Sequence, residues 1–167
     1  MKMGKIKTVI LNVRGIIERK WKRSKKELCG WIIDEHVIWL DSSFSNSKEI
    51  FLSDKVSEIF STIDSISFHT HPFEDESGKE SISITDRIYA CSYGPEIVFT
   101  YKGIYIIKPL IKEPFNKLSE TEDYIIEKSE EESCGNNDKL LKLYMEYGKK
   151  AFPCRIYRIG DLNVFNR

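Results

Sequence analysis

Long apolar runs are missing from this chain of 167 residues. No apolar stretch reaches the ~18 residues that a membrane-spanning helix needs, so no span is expected. The N-terminus has no apolar core followed by a small-residue cleavage site, so no secretory leader is expected either. Cysteine is scarce. Cys29, Cys91, Cys134 and Cys154 are scattered and show no Cys-x-x-Cys spacing. They read as free thiols in a reducing compartment, which places the protein in the cytoplasm. No internal repeat or low-complexity tract occurs, and a hydrophobic share of 41% is enough for a core. Net charge is also lacking, with 26 basic and 26 acidic residues. The charges are unevenly placed, however. Residues 1–26 hold ten Lys/Arg and the single acid Glu18, whereas residues 119–132 hold seven acids against Lys128. Both blocks read first as solvated surface.

Only three histidines are present, and two of them stand together in His69-Thr70-His71-Pro72. The preceding run, Ser65 to His71, alternates polar and apolar residues, as a strand does. Residues two apart on a strand share a face, so His69 and His71 project together from its C-terminal end. Pro72 lacks a backbone donor and ends the ladder. Ser83-Ile84-Thr85-Asp86 follows at the start of a helical pattern. Residues three apart meet on one helix face, so Ser83 and Asp86 look at one point. Either half alone has an ordinary reading, a surface histidine pair or an N-cap with an acid in the first turn. Together they supply two imidazoles and a carboxylate, a zinc set with a fourth position open for water.

This combination resembles the JAMM (Jab/MPN) metalloprotease family, whose signature is an upstream Glu, then His-x-His-Pro, then Ser-x-x-Asp. Glu27-Leu28-Cys29-Gly30 matches the family's Glu-x-x-Gly segment leading into a strand, and the likeness runs over roughly residues 6–110. Ten residues separate Pro72 from Ser83, more than the family's usual spacing. The extra length reads as an enlarged loop, Phe73 to Ile82, at the mouth of the site. The resemblance implies His69, His71 and Asp86 as zinc ligands, Glu27 as general base and Ser83 as donor to the oxyanion. Gly30 and Pro72 would shape the site. It also implies a mixed, curved β-sheet flanked by helices, with the architecture of the cytidine deaminases. The activity implied is zinc-dependent hydrolysis of an isopeptide or peptide bond. The partners would be ubiquitin-like proteins or their conjugates.

The rest of the chain reads as α+β, with hairpins rather than βαβ crossovers. Lys5 to Val13 is β-branched and is expected to begin as a strand before passing into a helix bearing Val13, Ile16, Ile17 and Trp21. Trp21 is expected to pack inward from the basic stretch 19–26. Leu28–Ile33 and His36–Leu40 pair across Asp34-Glu35, and His36 is given no functional role. A polar loop over 42–47, a strand over 49–52 and a helix bearing Val56, Ile59, Phe60 and Ile63 precede the histidine strand. Ile84–Tyr93 forms a helix stopped by Gly94-Pro95, and two strands meet across Lys102-Gly103. Residues 1–112 are read as the metalloprotease-like core and 113–167 as an extension. The extension comprises an acidic linker over 113–137, a helix capped by Asp138 with Leu140, Leu141, Tyr144 and Tyr147 or Gly148 inward, and an edge strand over 155–159. Three other functions stay open. They are a small-molecule amidase or peptidase on the same site, a metal-stabilised binding module, and nucleic-acid binding by residues 19–26, where Trp21 could stack on a base.

Overall fold

The computed structural model describes residues 3–24, 27–40, 65–71, 82–100 and 102–160. The elements expected over 42–63 and in the Phe73–Ser81 loop lie outside these residues. The chain opens with α1 (Met3–Ser24). No strand begins it, contrary to the expectation for Lys5–Val13. Ile6, Val9, Ile10, Val13, Ile17 and Trp21 are buried, while Lys5, Lys7, Thr8 and Leu11 are exposed. That three-and-four spacing forms one helical stripe. Burying the stripe outweighs the modest penalty of β-branched residues in a helix.

The hairpin β1 (Cys29–Ile33) and β2 (His36–Trp39) follows as expected. Asp34 and Glu35 both adopt positive φ, 46° and 65°, the type I′ geometry that suits a two-residue hairpin. Gly30 lets the two strands close up, since a Cβ there would collide with the Ile38 carbonyl oxygen. Then come β3 (Ile66–Thr70), α2 (Ile84–Tyr93), β4 (Glu96–Thr100) and β5 (Gly103–Pro109). The chain ends with α3 (Phe115–Ser133), α4 (Asn137–Ala151) and β6 (Cys154–Gly160).

The fold is α+β. Six strands form an open sheet in the order β2-β1-β3-β4-β5-β6. The sheet is mixed, because β3 and β4 run parallel while every other pair is antiparallel. A parallel pair requires a crossover, and α2 lies in it. The expectation of hairpins without βαβ units is thus corrected at one place, and that place holds the candidate site.

Alternation sorts the strand residues onto two faces. Ile66, Phe68, Ile97, Phe99, Ile104 and Ile106 pack with the apolar stripe of α1. Val98 and Ile107 face the other way and pack with Ala90 of α2. Farther out, Ile84, Ile88 and Cys91 of α2 meet Leu118 and Ile125 of α3, with Phe152.

The acidic stretch expected as a linker is therefore mostly helix. Leu118, Ile125, Ser129 and Ser133 make a narrow buried stripe that the surrounding glutamates conceal in the composition. Tyr144 and Tyr147 of α4 donate hydrogen bonds of 2.6 Å to Glu122 and Glu132 of α3. Asn136, not Asp138, caps α4, its side chain accepting from the Lys139 N–H at 3.0 Å. Leu141 is exposed rather than inward. Gly148 is the buried residue of α4 and lies against Ile84. The edge strand expected over 155–159 is β6, paired to β5.

Candidate metal centre

His69 lies near the C-terminal end of β3 and His71 one residue beyond it, both pointing to the face opposite α1. Asp86 stands in the first turn of α2. In a β-α-β crossover the end of the first strand and the start of the helix lie together, outside the carboxyl edge of the sheet, where open sheets bind ligands. One ligand atom from each of these three residues lies within 4.8 Å of the other two. The Asp86 carboxylate is divided between the rings: Oδ1 is 3.1 Å from His69 Nε2 and Oδ2 is 3.6 Å from His71 Nε2. A tetrahedral zinc with bonds of about 2.0–2.2 Å holds its ligand atoms roughly 3.3–3.6 Å apart. Two imidazoles and a carboxylate are a donor set that could hold a metal ion such as zinc.

Each donor is fixed by a further contact. His69 Nδ1 lies 2.8 Å from Glu96 Oε1, at the head of β4. A carboxylate on the far nitrogen sets the tautomer and leaves Nε2 for a metal. Among the described residues the other oxygen of Glu96, Oε2, is buried without a hydrogen-bond partner. The His71 carbonyl accepts a 2.9 Å hydrogen bond from Trp21 Nε1, so α1 grips the histidine strand from the opposite face. Trp21 packs inward as expected, with no exposure. Thr70 receives the Leu28 N–H on its side-chain oxygen at 2.8 Å and donates its own N–H to the Leu28 carbonyl at 2.8 Å.

Ser83 caps α2. Its Oγ accepts from the Asp86 N–H at 3.0 Å, and Asp86 Oδ2 accepts from the Ser83 N–H at 2.6 Å, a complete capping box. The N-cap reading and the ligand reading of Ser83-x-x-Asp86 are therefore both realised: the capping box aims the carboxylate at the histidines.

Glu27 is buried just before β1. Cys29 pairs with His69 and Leu28 bonds Thr70, so the register continued by one residue sets Glu27 opposite His71. Opposed residues of an antiparallel pair project to the same face. Glu27, Cys29, His69 and His71 thus share one side of the sheet. Gly30 points to the other side, toward Phe68, and shapes the sheet rather than the site.

The electrostatics follow from this crowding. Burial pushes the Asp86 carboxyl up, but the His69 charge and hydrogen bonds from both imidazoles hold it well below the usual carboxylate range. Burial pushes His69 down, and the Glu96 and Asp86 carboxylates more than reverse that, raising it well above 6.5. The Cys29 thiol is pushed up to about 12 by burial and by Glu96 and Glu27, so it stays protonated.

Glu96 and Trp21 are the site residues that sequence reasoning passed over. Glu96 carried a signal: an acid heading the strand Glu96-Ile97-Val98-Phe99-Thr100, every residue of which is buried. Charged groups are rarely buried without a partner. His36 lies at the β1–β2 turn, its Nδ1 2.8 Å from the Asp34 carbonyl oxygen. No known family, curated protein or solved structure matches the chain.

Proposed function

We propose that this chain is a zinc-dependent hydrolase of the JAMM (Jab/MPN) type, with that family's cytidine-deaminase-like architecture, cleaving isopeptide or peptide bonds. The observation that carries the reading is the convergence of His69, His71 and Asp86 at one edge of the sheet, with Glu27 brought to the same face by the β1–β3 register. The bond chemistry comes from this donor set. The substrate, a protein carrying a ubiquitin-like modifier, comes from the family likeness.

His69, His71 and Asp86 would hold the metal. Zinc in this place supplies Lewis acidity, bringing the pKa of a water toward about 7 and polarising a carbonyl. Glu27 takes a proton from the attacking water on its carboxylate and gives it to the departing amine nitrogen. Ser83 has one hydroxyl proton, and its Oγ accepts from the Asp86 N–H. That proton is left to donate to the carbonyl oxygen as negative charge builds there. Glu96 keeps the His69 ring oriented throughout.

The test is Glu27→Gln, assayed on an isopeptide-linked ubiquitin-like conjugate beside zinc analysis of the purified protein. The amide keeps the shape but cannot act as a base. Zinc should stay at about one per chain, the fourth ligand being solvent, while kcat falls about 10²–10⁴-fold with KM little changed. Near-wild-type turnover would remove Glu27 from the role. Equal cleavage of short acyl-lysine peptides and folded conjugates would turn the assignment to the small-molecule amidase. A zinc-free wild type would end the reading altogether.

A further inference from the structure

Two of the four cysteines meet at the end of α2 away from Asp86. Cys91 lies in the last turn of α2, Cys154 opens β6, and their sulfurs are 3.7 Å apart. Cys91 is fully buried, whereas Cys154 is partly exposed, so a small reagent reaches the pair through Cys154. Arg87 stands one turn before Cys91 on the same face of the helix. Its side chain is buried, with 8% exposure, and Nη1 donates to the Phe152 carbonyl at 3.3 Å. Its Nε has no partner among the described residues, and no carboxylate among them forms an ion pair with it. A buried charge without a counter-charge is costly.

We propose that Cys91 and Cys154 are a reversible oxidation site, closed to an internal disulfide by small disulfides of the glutathione class. The proposal is independent of whether the centre at His69 holds zinc. Cys91 accepts the Cys154 proton as the Cys154 sulfur attacks one sulfur of the reagent, whose S–S bond breaks, and half of the reagent leaves as a thiol. The Cys91 sulfur then attacks the Cys154 sulfur of this mixed disulfide, and the second half leaves. The two protein thiols lose two electrons, the reagent gains them, and the two thiol protons end on the two departing thiols. A dithiol reductant reverses the sequence. The bond joins β6 to the helix that carries Asp86.

The environment separates this pair from the other cysteines. The hydrogen bond from the Cys154 thiol draws Cys91 down, burial opposes it, and the Arg87 charge adds to the lowering; the same hydrogen bond, with burial, pushes the Cys154 thiol up, so the proton of the pair rests on Cys154. Cys29, faced by carboxylates instead of a guanidinium, is pushed up to about 12. Cys134 is exposed and has no thiol neighbour among the described residues. The 3.7 Å separation of the two sulfurs selects the Cys91–Cys154 pair for closure, with Cys91 as its thiolate.

The full-length protein is incubated with oxidised glutathione under native conditions, remaining thiols are blocked, and peptides are mapped by mass spectrometry. The expected result is a peptide pair joined through Cys91 and Cys154, with both of these thiols lost. Dithiothreitol should restore both, and Cys134→Ser should behave as wild type does. Closure should be several-fold slower in Arg87→Gln, with the rate of glutathione addition at Cys134 unchanged. If Cys91 and Cys154 remain thiols while Cys134 takes up glutathione, the proposal fails. It fails equally if Cys154 holds a lasting mixed disulfide with Cys91 still reduced. An unchanged closure rate in Arg87→Gln would overturn the part given to the guanidinium.

Discussion

His69 is held through both nitrogens, Nδ1 by Glu96 and Nε2 by Asp86. Glu96→Gln preserves the shape but replaces a carboxylate by an amide, and so weakens the orientation and basicity of the ring. Losing such a partner typically lowers metal affinity about 10–100-fold, the change expected from a zinc titration against a competing chelator. Affinity equal to wild type would show that Glu96 is packing only. The same surroundings set a pH dependence. The folded pKa of His69 lies above its unfolded value. The stability contributed by its protonated form is therefore complete below the unfolded pKa of about 6.5 and is lost as pH rises through the folded pKa. Facing this imidazole are Asp86 from α2, Glu96 from β4, His71 from β3 and the protonated Cys29 from β1. Zinc needs the neutral ring, so metal and proton compete. Zinc affinity should rise with pH above 6.5, with proton release seen by calorimetry in buffers of different ionisation enthalpy. A flat profile would contradict this.

At the scale of the element, α2 combines three tasks. Its N-cap aims Asp86, its apolar side buries Ile84, Ile88 and Cys91, and its length closes the crossover between β3 and β4. Ser83→Ala should separate the capping role of this residue from its chemical one. Loss of the cap costs about 1 kcal/mol, read from denaturant unfolding of the metal-free protein. Loss of the hydroxyl donor should lower kcat by about 10²–10³. A drop in turnover no larger than the lost stability explains would leave Ser83 as a cap alone. The helix was legible because its cap, its apolar spacing and the Gly94-Pro95 stop all agree. By contrast, α3 was not. Its buried stripe includes Ser129 and Ser133, which bond back to the Ile125 and Glu130 carbonyls at 2.7 and 2.9 Å and so hide as polar residues in a glutamate-rich segment.

For the molecule as a whole, the sheet is covered on both faces, by α1 on one and by α2 on the other, with α3 and α4 packed outside α2. Residues from 113 onward cover Ile84, Ile88 and Cys91, and β6 pairs along β5. A chain cut after residue 112 should therefore aggregate or unfold and lose zinc. Stripping Leu118, Ile125 and Phe152 from the cluster removes several buried side chains, each contributing about 1.5–3 kcal/mol, against a typical total stability of about 5–15 kcal/mol. A soluble, zinc-loaded 1–112 fragment would show the core to be self-sufficient.

What the sequence determined by itself is local. Alternation placed His69 and His71 on one face of a strand, spacing placed Ser83 and Asp86 in the first turn of a helix, and Asp34-Glu35 closed a hairpin. These follow from the fixed periods of strand and helix, which any short window carries. Only the tertiary structure decided that β3 and β4 run parallel around α2, which brings Asp86 to the histidines. It alone set β1 beside β3 in the register that carries Glu27 opposite His71. It alone carried Glu96 to His69 across 27 positions and Trp21 to His71 across 50. The same is true of the thiol pair, whose members are 63 positions apart. Contacts between distant segments depend on which buried faces find each other, and no local period records that choice.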